Sequence, residues 1–224
     1  MKSIFAFFMT SFIFLPLLAL AQTRTDIGLP KPFFTGRKSV EEAIKARRTI
    51  RHFKAKTLNL GQLSQLLWAA YGTTNRDGLY KSVPSAGALY PLDIWVAIGE
   101  KGVEGLKAGV YHYIPETHKI RQVRDGEVRR EIVRASLLQD WMAEAPVIFI
   151  VTGEYERCTR KYRERGISYT YIEAGHVGQN IFLQAEALEL GVGIVGAFYN
   201  NLVQQVLGIG KVYDPILIMP VGYK

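Results

Sequence analysis

An α+β architecture is the fold class that this sequence predicts. Three observations lead there: helical and strand-like periods interleave irregularly, two of the strands read as one hairpin, and no internal repeat or low-complexity tract is present. With 224 residues, 48% of them hydrophobic and 21% charged, the chain carries enough apolar mass for one domain with a substantial core, and disorder is not indicated.

The first segment reads as a targeting signal. Lys2 precedes an apolar run from Ile4 to Leu18, and Ala19, Leu20, Ala21 form an A-x-A pattern ahead of Gln22. Residues 1–21 therefore read as a signal peptide, which implies an exported protein, periplasmic or extracellular, with no stable membrane anchor after cleavage. A retained anchor is the competing reading, since Ile4 to Ala21 is 18 residues, the lower limit for a bilayer span. No cysteine follows the small residues, so a lipid anchor is not indicated. Residues 22–38, with Pro30, Pro32 and Gly36 and little periodicity, read as an extended N-terminal arm, and 39–224 as the folded domain.

Within that domain, Ser39 with Glu42 three residues on makes a capping box, and the short helix that follows delivers Arg47 to Phe53 at its end. A second helix, Asn59 to Tyr71, sets Leu63, Leu66, Leu67 and Ala70 on one face and stops at Gly72. Gly72 to Pro91 is a long Gly/Ser/Pro/Asn loop, of a length that is more often functional than idle. Strands are predicted over Asp93–Ile98, Val110–Ile114 and Lys119–Val123, the last two joined by a turn at Pro115–His118. Glu127–Leu138 reads as an amphipathic helix and Val147–Thr152 as a buried strand. Tyr169–Leu190 is a long helix with a stripe at Tyr169, Ile172, Val177, Ile181, Ala185 and Leu188, and Gly191 is its expected stop. A short helix at Asn200–Leu207 and a strand at Pro215–Val221 close the chain.

Composition excludes several classes. The net charge is +8, and +7 once Lys2 is removed with the signal segment, but the basic residues are scattered over Arg47–Arg51, Arg129–Arg134 and Arg157–Arg165 without zinc-finger or aromatic RNA-binding spacing, so no nucleic-acid partner is expected. Cys158 is the one cysteine, which rules out an intramolecular disulfide and makes a passive side chain the favoured reading over a reactive thiol. There is no HExxH, nucleophile elbow or P-loop, and no metal site is expected. Gly191 to Gly196 matches GxGxxG, yet it follows a helix where a dinucleotide fingerprint must precede one, so Rossmann binding is rejected.

Two segments could carry chemistry. Arg47, Arg48, Thr49, Ile50, Arg51 put three guanidinium groups and a hydroxyl within five residues, which suits a phosphate because each guanidinium is a permanently charged fork of donors; a solvated helix end is the equal alternative. Val83 to Pro91 confines Ser85, Ala86 and Gly87 between two prolines, leaving a stiff surface on which a flat ring could lie, or else an ordinary turn. His176 reads as a satisfied core histidine ahead of a pocket residue, and Tyr111, Tyr113 and Trp141 as packing residues.

RRTIRHF, PSAGALYP, GVYHY, KYRERGISYTYIEAGHVGQNIFLQAEALELGVGIVGAF and MPVG occur in one order over Ser39 to Lys224, and in that order they resemble the nitroreductase superfamily, specifically its SagB-type dehydrogenase branch. The resemblance implies a central, mainly antiparallel sheet flanked by helices, a homodimer, and FMN bound at the subunit interface. It implies that Arg47, Arg48 and Thr49 hold the phosphate and ribityl end. Arg51 would lie near flavin N1 and O2, where a fixed cation stabilises the charge of the reduced ring. Pro84, Ser85 and Gly87 would contact the ring from the partner subunit, and the backbone amides of Val195 and Gly196 would face N5. The family's basic pair beyond the last strand is represented here by Lys224. Lys161 and Tyr162 match a Lys and Tyr pair that takes part in proton abstraction in azoline dehydrogenases, a role that needs a lowered lysine pKa; surface residues at a helix start are the alternative. The expected function is thus an exported FMN-dependent oxidoreductase that transfers hydride through N5. Its substrate is a nitro compound or quinone to be reduced, or an azoline-type ring to be oxidised, with NAD(P)H as a candidate donor. A non-catalytic flavin-binding or scavenging protein is the alternative.

Overall fold

The computed structural model describes residues 26–75 and 77–224, so the signal segment expected at 1–21 lies outside the described residues. Seven strands form one sheet: β1 Asp26–Gly28, β2 Leu92–Ile98, β3 Gly109–Ile114, β4 Lys119–Asp125, β5 Val147–Gly153, β6 Leu190–Val192 and β7 Asp214–Tyr223. Their order is β1-β4-β3-β2-β5-β7-β6, and every pair is antiparallel.

Central strands are apolar on both faces because helices cover both. Along β2, Ile94, Val96 and Ile98 point into one core and Trp95 and Ala97 into the other; along β5, Val147, Phe149 and Val151 alternate with Ile148 and Ile150 in the same way. The first core is closed by α2 (Leu60–Tyr71) and α5 (Arg165–Ala187), whose Leu63, Leu66, Leu67, Ala174, Val177 and Ile181 are buried. The second is closed by α3 (Arg129–Ala135) and α6 (Asn200–Leu207) through Ile132, Val133, Val203 and Leu207. Each fully buried aliphatic side chain contributes roughly 1.5–3 kcal/mol, so removal of one from either layer would consume a large share of a small domain's stability.

Helix α1 (Val40–Ala46) is held by the predicted capping box: the Glu42 amide donates to Ser39 Oγ and the Ser39 amide to the Glu42 carboxylate. The remaining helix, α4 (Glu156–Tyr162), was not anticipated; it turns directly into α5, with Arg163 at φ 50° between them. Gly166 makes that turn possible, since a Cβ there would come within 2.7 Å of the α4 backbone at Cys158 and Thr159.

Several boundaries differ from expectation. The extended arm contributes β1 to the sheet edge, where Arg121 forks Asp26 at 2.6 and 3.0 Å. The predicted helix at Glu127–Leu138 is confined to Arg129–Ala135, because Leu137 and Leu138 both take left-handed backbone. Helix α5 ends at Ala187 rather than at Gly191: Glu189 takes the left-handed position at φ 61°, and Gly191 lies inside β6. Gly191 is needed there for closeness instead, since a Cβ would fall 2.9 Å from Ile50.

Candidate active site

The RRTIR segment leaves α1 and runs beside β6, with a bridge between Thr49 and Val192 and a 2.8 Å bond from the Ile50 amide to the Val192 carbonyl. This seats Arg47 and Arg48 in a corner that they line with Ile50, Phe182, Glu186, Gly191 and Lys224. Arg47 lies 5.2 Å above the Phe182 ring. Arg48 also folds back, donating to the carbonyls of Lys45 and Arg47 at 3.0 and 2.7 Å, which satisfies the free end of α1. Arg51 points elsewhere, 5.9 Å above Trp141. The corner thus unites Arg47, Arg48 and Lys224, residues 177 positions apart at the extremes.

Phe182 is shared with a second hollow of about 330 Å³, lined by Tyr171, Gly175, Gly178, Ile194, Ile216 and Leu217. A mostly apolar slot thus lies beside a cationic corner, with Phe182 lining both. The glycine loop contributes Ile194 to this slot. Gly193 is packed against Trp141, where a Cβ would meet the ring at 2.4 Å, whereas nothing lies within 4 Å of a Cβ at Gly196. Of the two amides expected to face the ring, that of Val195 is taken, because it donates to Ile218 O at 2.8 Å in a reciprocal bridge. Only the Gly196 amide has no acceptor among the described residues.

The second cluster is built on the loop after α2. Gly87, Ala88 and Tyr90 all take left-handed backbone, at φ 61°, 53° and 48°, so three of four consecutive residues are in a conformation that costs non-glycine residues roughly 1–2 kcal/mol each. The loop is held from below. Ser85 Oγ accepts from the Tyr90 amide at 2.9 Å, Asn180 Nδ2 donates to Ala69 O and Ser82 O, and Arg157 donates to Tyr90 O. Lys161 and Tyr162, the last two residues of α4, stand over it: a methyl at Gly87 would lie 2.7 Å from the Tyr162 hydroxyl and 3.0 Å from Lys161 Nζ. Tyr162 packs edge-on against Tyr169, and Arg165 covers Tyr169 in turn. The structure joins Lys161 and Tyr162 to Ser85 and Gly87. It joins neither pair to the Arg47 corner within one chain, for the two clusters share no lining residue or hydrogen bond among the described residues.

The chain as a whole is similar to known proteins. A model of the nitroreductase family matches residues 44–223, nearly the whole of the described domain. The chain belongs to the nitroreductase family. It is 46% identical over 185 residues to a Methanocaldococcus jannaschii protein assigned as a nitroreductase, covering 83% of this chain and 91% of that one. It is 30% identical over 178 residues to the trifolitoxin-processing protein TfxB of Rhizobium leguminosarum, covering 71% of this chain and 44% of that longer one. A Ralstonia eutropha structure assigned as a nitroreductase superposes with a TM-score of 0.78 at 25% identity, covering 94% of each chain. Oxidoreductase chemistry is the class this nitroreductase family supports.

Sequence reasoning missed two carboxylates in this family member. Glu173 and Glu186 are 2% and 4% exposed, on the inward face of α5. Glu173 receives the Tyr71 hydroxyl at 2.7 Å beneath the left-handed loop, and burial raises its carboxyl above the usual range, partly offset by the Ser85 and Tyr71 hydroxyls. Glu186 lies in the Arg47 corner. Their signal was available: both fall in step with Ala174, Val177, Ile181 and Ala185, where an acidic residue breaks an apolar stripe. His176, by contrast, is exposed, one position off that stripe, and is not a core histidine.

Proposed function

We propose that the chain is an exported, homodimeric, FMN-dependent oxidoreductase. The observation that carries this reading is an apolar hollow set beside a corner lined by Arg47, Arg48 and Lys224, the two sharing Phe182, since a flat ring ending in a phosphate monoester needs an apolar seat next to such a donor set. When bound, FMN would supply a two-electron acceptor for hydride. Arg47, Arg48 and Lys224 would hold its phosphate, with Thr49 beside them. Arg51, which reaches over Trp141, would hold the pyrimidine edge, and Gly196 would offer its open amide to the ring. Pro84, Ser85 and Gly87 would close the ring from the partner subunit and exclude water.

Lys161 and Tyr162 stand together over a glycine that leaves their Nζ and hydroxyl uncovered, an arrangement able to take a proton from a substrate carbon as hydride departs. That pair, with the TfxB likeness, favours oxidation of an azoline-type ring over reduction of nitro compounds or quinones. Export favours it too, because cytosolic NAD(P)H is not supplied outside the cytoplasm. The test is the visible spectrum of the purified protein and of Arg47→Ala and Arg51→Ala. Wild type should carry FMN, and each variant should bind it about 10- to 100-fold more weakly, as expected for losing a charged hydrogen-bond donor. Full retention by both variants would remove the site assignment. Anaerobic bleaching by NADH or NADPH would instead favour the reductase cycle, and release of unchanged FMN without turnover would favour a scavenger.

A further inference from the structure

The Arg47 corner contains a carboxylate for which phosphate binding has no use. The Glu186 side chain is only 5% exposed, and both of its oxygens receive the Lys224 ammonium at 2.6 Å. Lys38 stands on its other side, donating to the Glu186 carbonyl at 2.9 Å and lying 3.8 Å from Oε2. With this pair formed, the free volume of the corner is about 10 Å³, enough for no more than one water. A phosphate cannot enter beside the pair. It must displace Lys224 from Glu186, and Lys224 can move, since its side chain is 39% exposed.

We infer that Glu186 is a built-in competitor of the phosphate group: it holds Lys224 in the free protein and yields it to the incoming monoester, remaining neutralised by Lys38. The charges favour such an exchange. Four cations, Lys38, Arg47, Arg48 and Lys224, surround one carboxylate, so a dianion can be added while the corner remains positive. A buried carboxylate next to an anion site lowers affinity, and its service is to keep the corner closed and paired when no anion is present.

This inference rests on the flavin reading above, and its test separates the two. FMN affinity is followed by quenching of flavin fluorescence, and inorganic phosphate binding by the rise in melting temperature, for wild type, Glu186→Gln, Lys224→Ala and the double variant. Glu186→Gln should lower the melting temperature without ligand, yet bind both FMN and phosphate about tenfold more tightly, since a like charge beside the anion has gone. That gain should vanish in the double variant, where no lysine remains to be released. Should the Gln variant fail to fold, Glu186→Asp, which keeps the charge but cannot reach Lys224 as closely, should show the same opposed shifts in smaller measure. A wild type that binds phosphate and FMN, with Glu186 variants that bind both equally or more weakly, overturns the competition alone. A wild type that binds neither overturns the flavin reading and this inference with it.

Discussion

At Gly87 a single missing side chain leaves the room that two others occupy. Its backbone sits at φ 61° and ψ 21°, and its Cα faces the Tyr162 hydroxyl and Lys161 Nζ. Gly87→Ala should cost about 1–2 kcal/mol of stability through left-handed strain, and should displace both groups, so turnover should fall more than the melting temperature suggests. Tyr162→Phe gives the cleaner test. The half-buried ring and its edge-on contact with Tyr169 survive, so stability and FMN content should match wild type while kcat falls about 10²- to 10⁴-fold, the usual contribution of a proton-transfer group. Undiminished kcat in Tyr162→Phe would place the pair outside the chemistry. Glycines also show the limit of reading residues from sequence. The GxGxxG spacing is plain in the chain, but only packing explains it: Gly191 against Ile50, Gly193 against Trp141, and Gly196 against nothing.

Elements with an intact period or cap were legible from sequence, and those defined by pairing alone were not. Ser39 with Glu42 announces α1, Asn59 and Gly72 bound α2, and β2, β5 and α6 fall within a residue of expectation. By contrast β1 and β6 have three residues each, too few for a period, and exist because β4 and β7 offer an edge. The N-terminal arm beyond β1 is fixed just as non-locally. Ser64 Oγ donates to Pro30 O, His118 Nε2 lies 2.8 Å from that hydroxyl and 3.0 Å from Pro30 O, and the Tyr113 hydroxyl lies 2.8 Å from His118 Nδ1. Neutral His118, with its proton on Nε2, satisfies all of these; a proton on Nδ1 would face the tyrosine O–H. Burial lowers the His118 pKa from its ordinary 6.5, with the Pro30 carbonyl opposing. Because the folded value is the lower one, the unfolded chain binds more protons between the two, and stability must rise with pH there. The contribution is complete above about pH 6.5 and lost as pH falls below it. Melting temperatures between about pH 8 and about pH 5 should decline more steeply for wild type than for His118→Gln. Parallel profiles would show that the arm is not held through this histidine.

For the whole molecule, the division of the site into two clusters within one chain is the governing fact. Arg47, Arg48 and Lys224 line one hollow, and Ser85, Gly87, Lys161 and Tyr162 gather elsewhere, with no contact between them among the described residues. On the proposed reading, cofactor and proton-transfer group meet at one substrate, and the two halves then come from two copies of the chain. Exposed apolar residues on two helices are the candidates for such a contact. Ile172 is 53% exposed in mid-helix, followed along the same face of α5 by Gly175, which has open space around it, and Gln179; Val40 and Ile44 of α1 are also exposed. Sedimentation should therefore give twice the chain mass. Ile172→Glu should shift it to the monomer, since a carboxylate in a closing apolar face loses its hydration without gaining a partner. If the site is shared, that variant should keep its folded-state spectrum yet lose FMN and activity together. A monomeric wild type that retains stoichiometric FMN and full turnover would mean instead that the left-handed loop and the cationic corner meet within one chain.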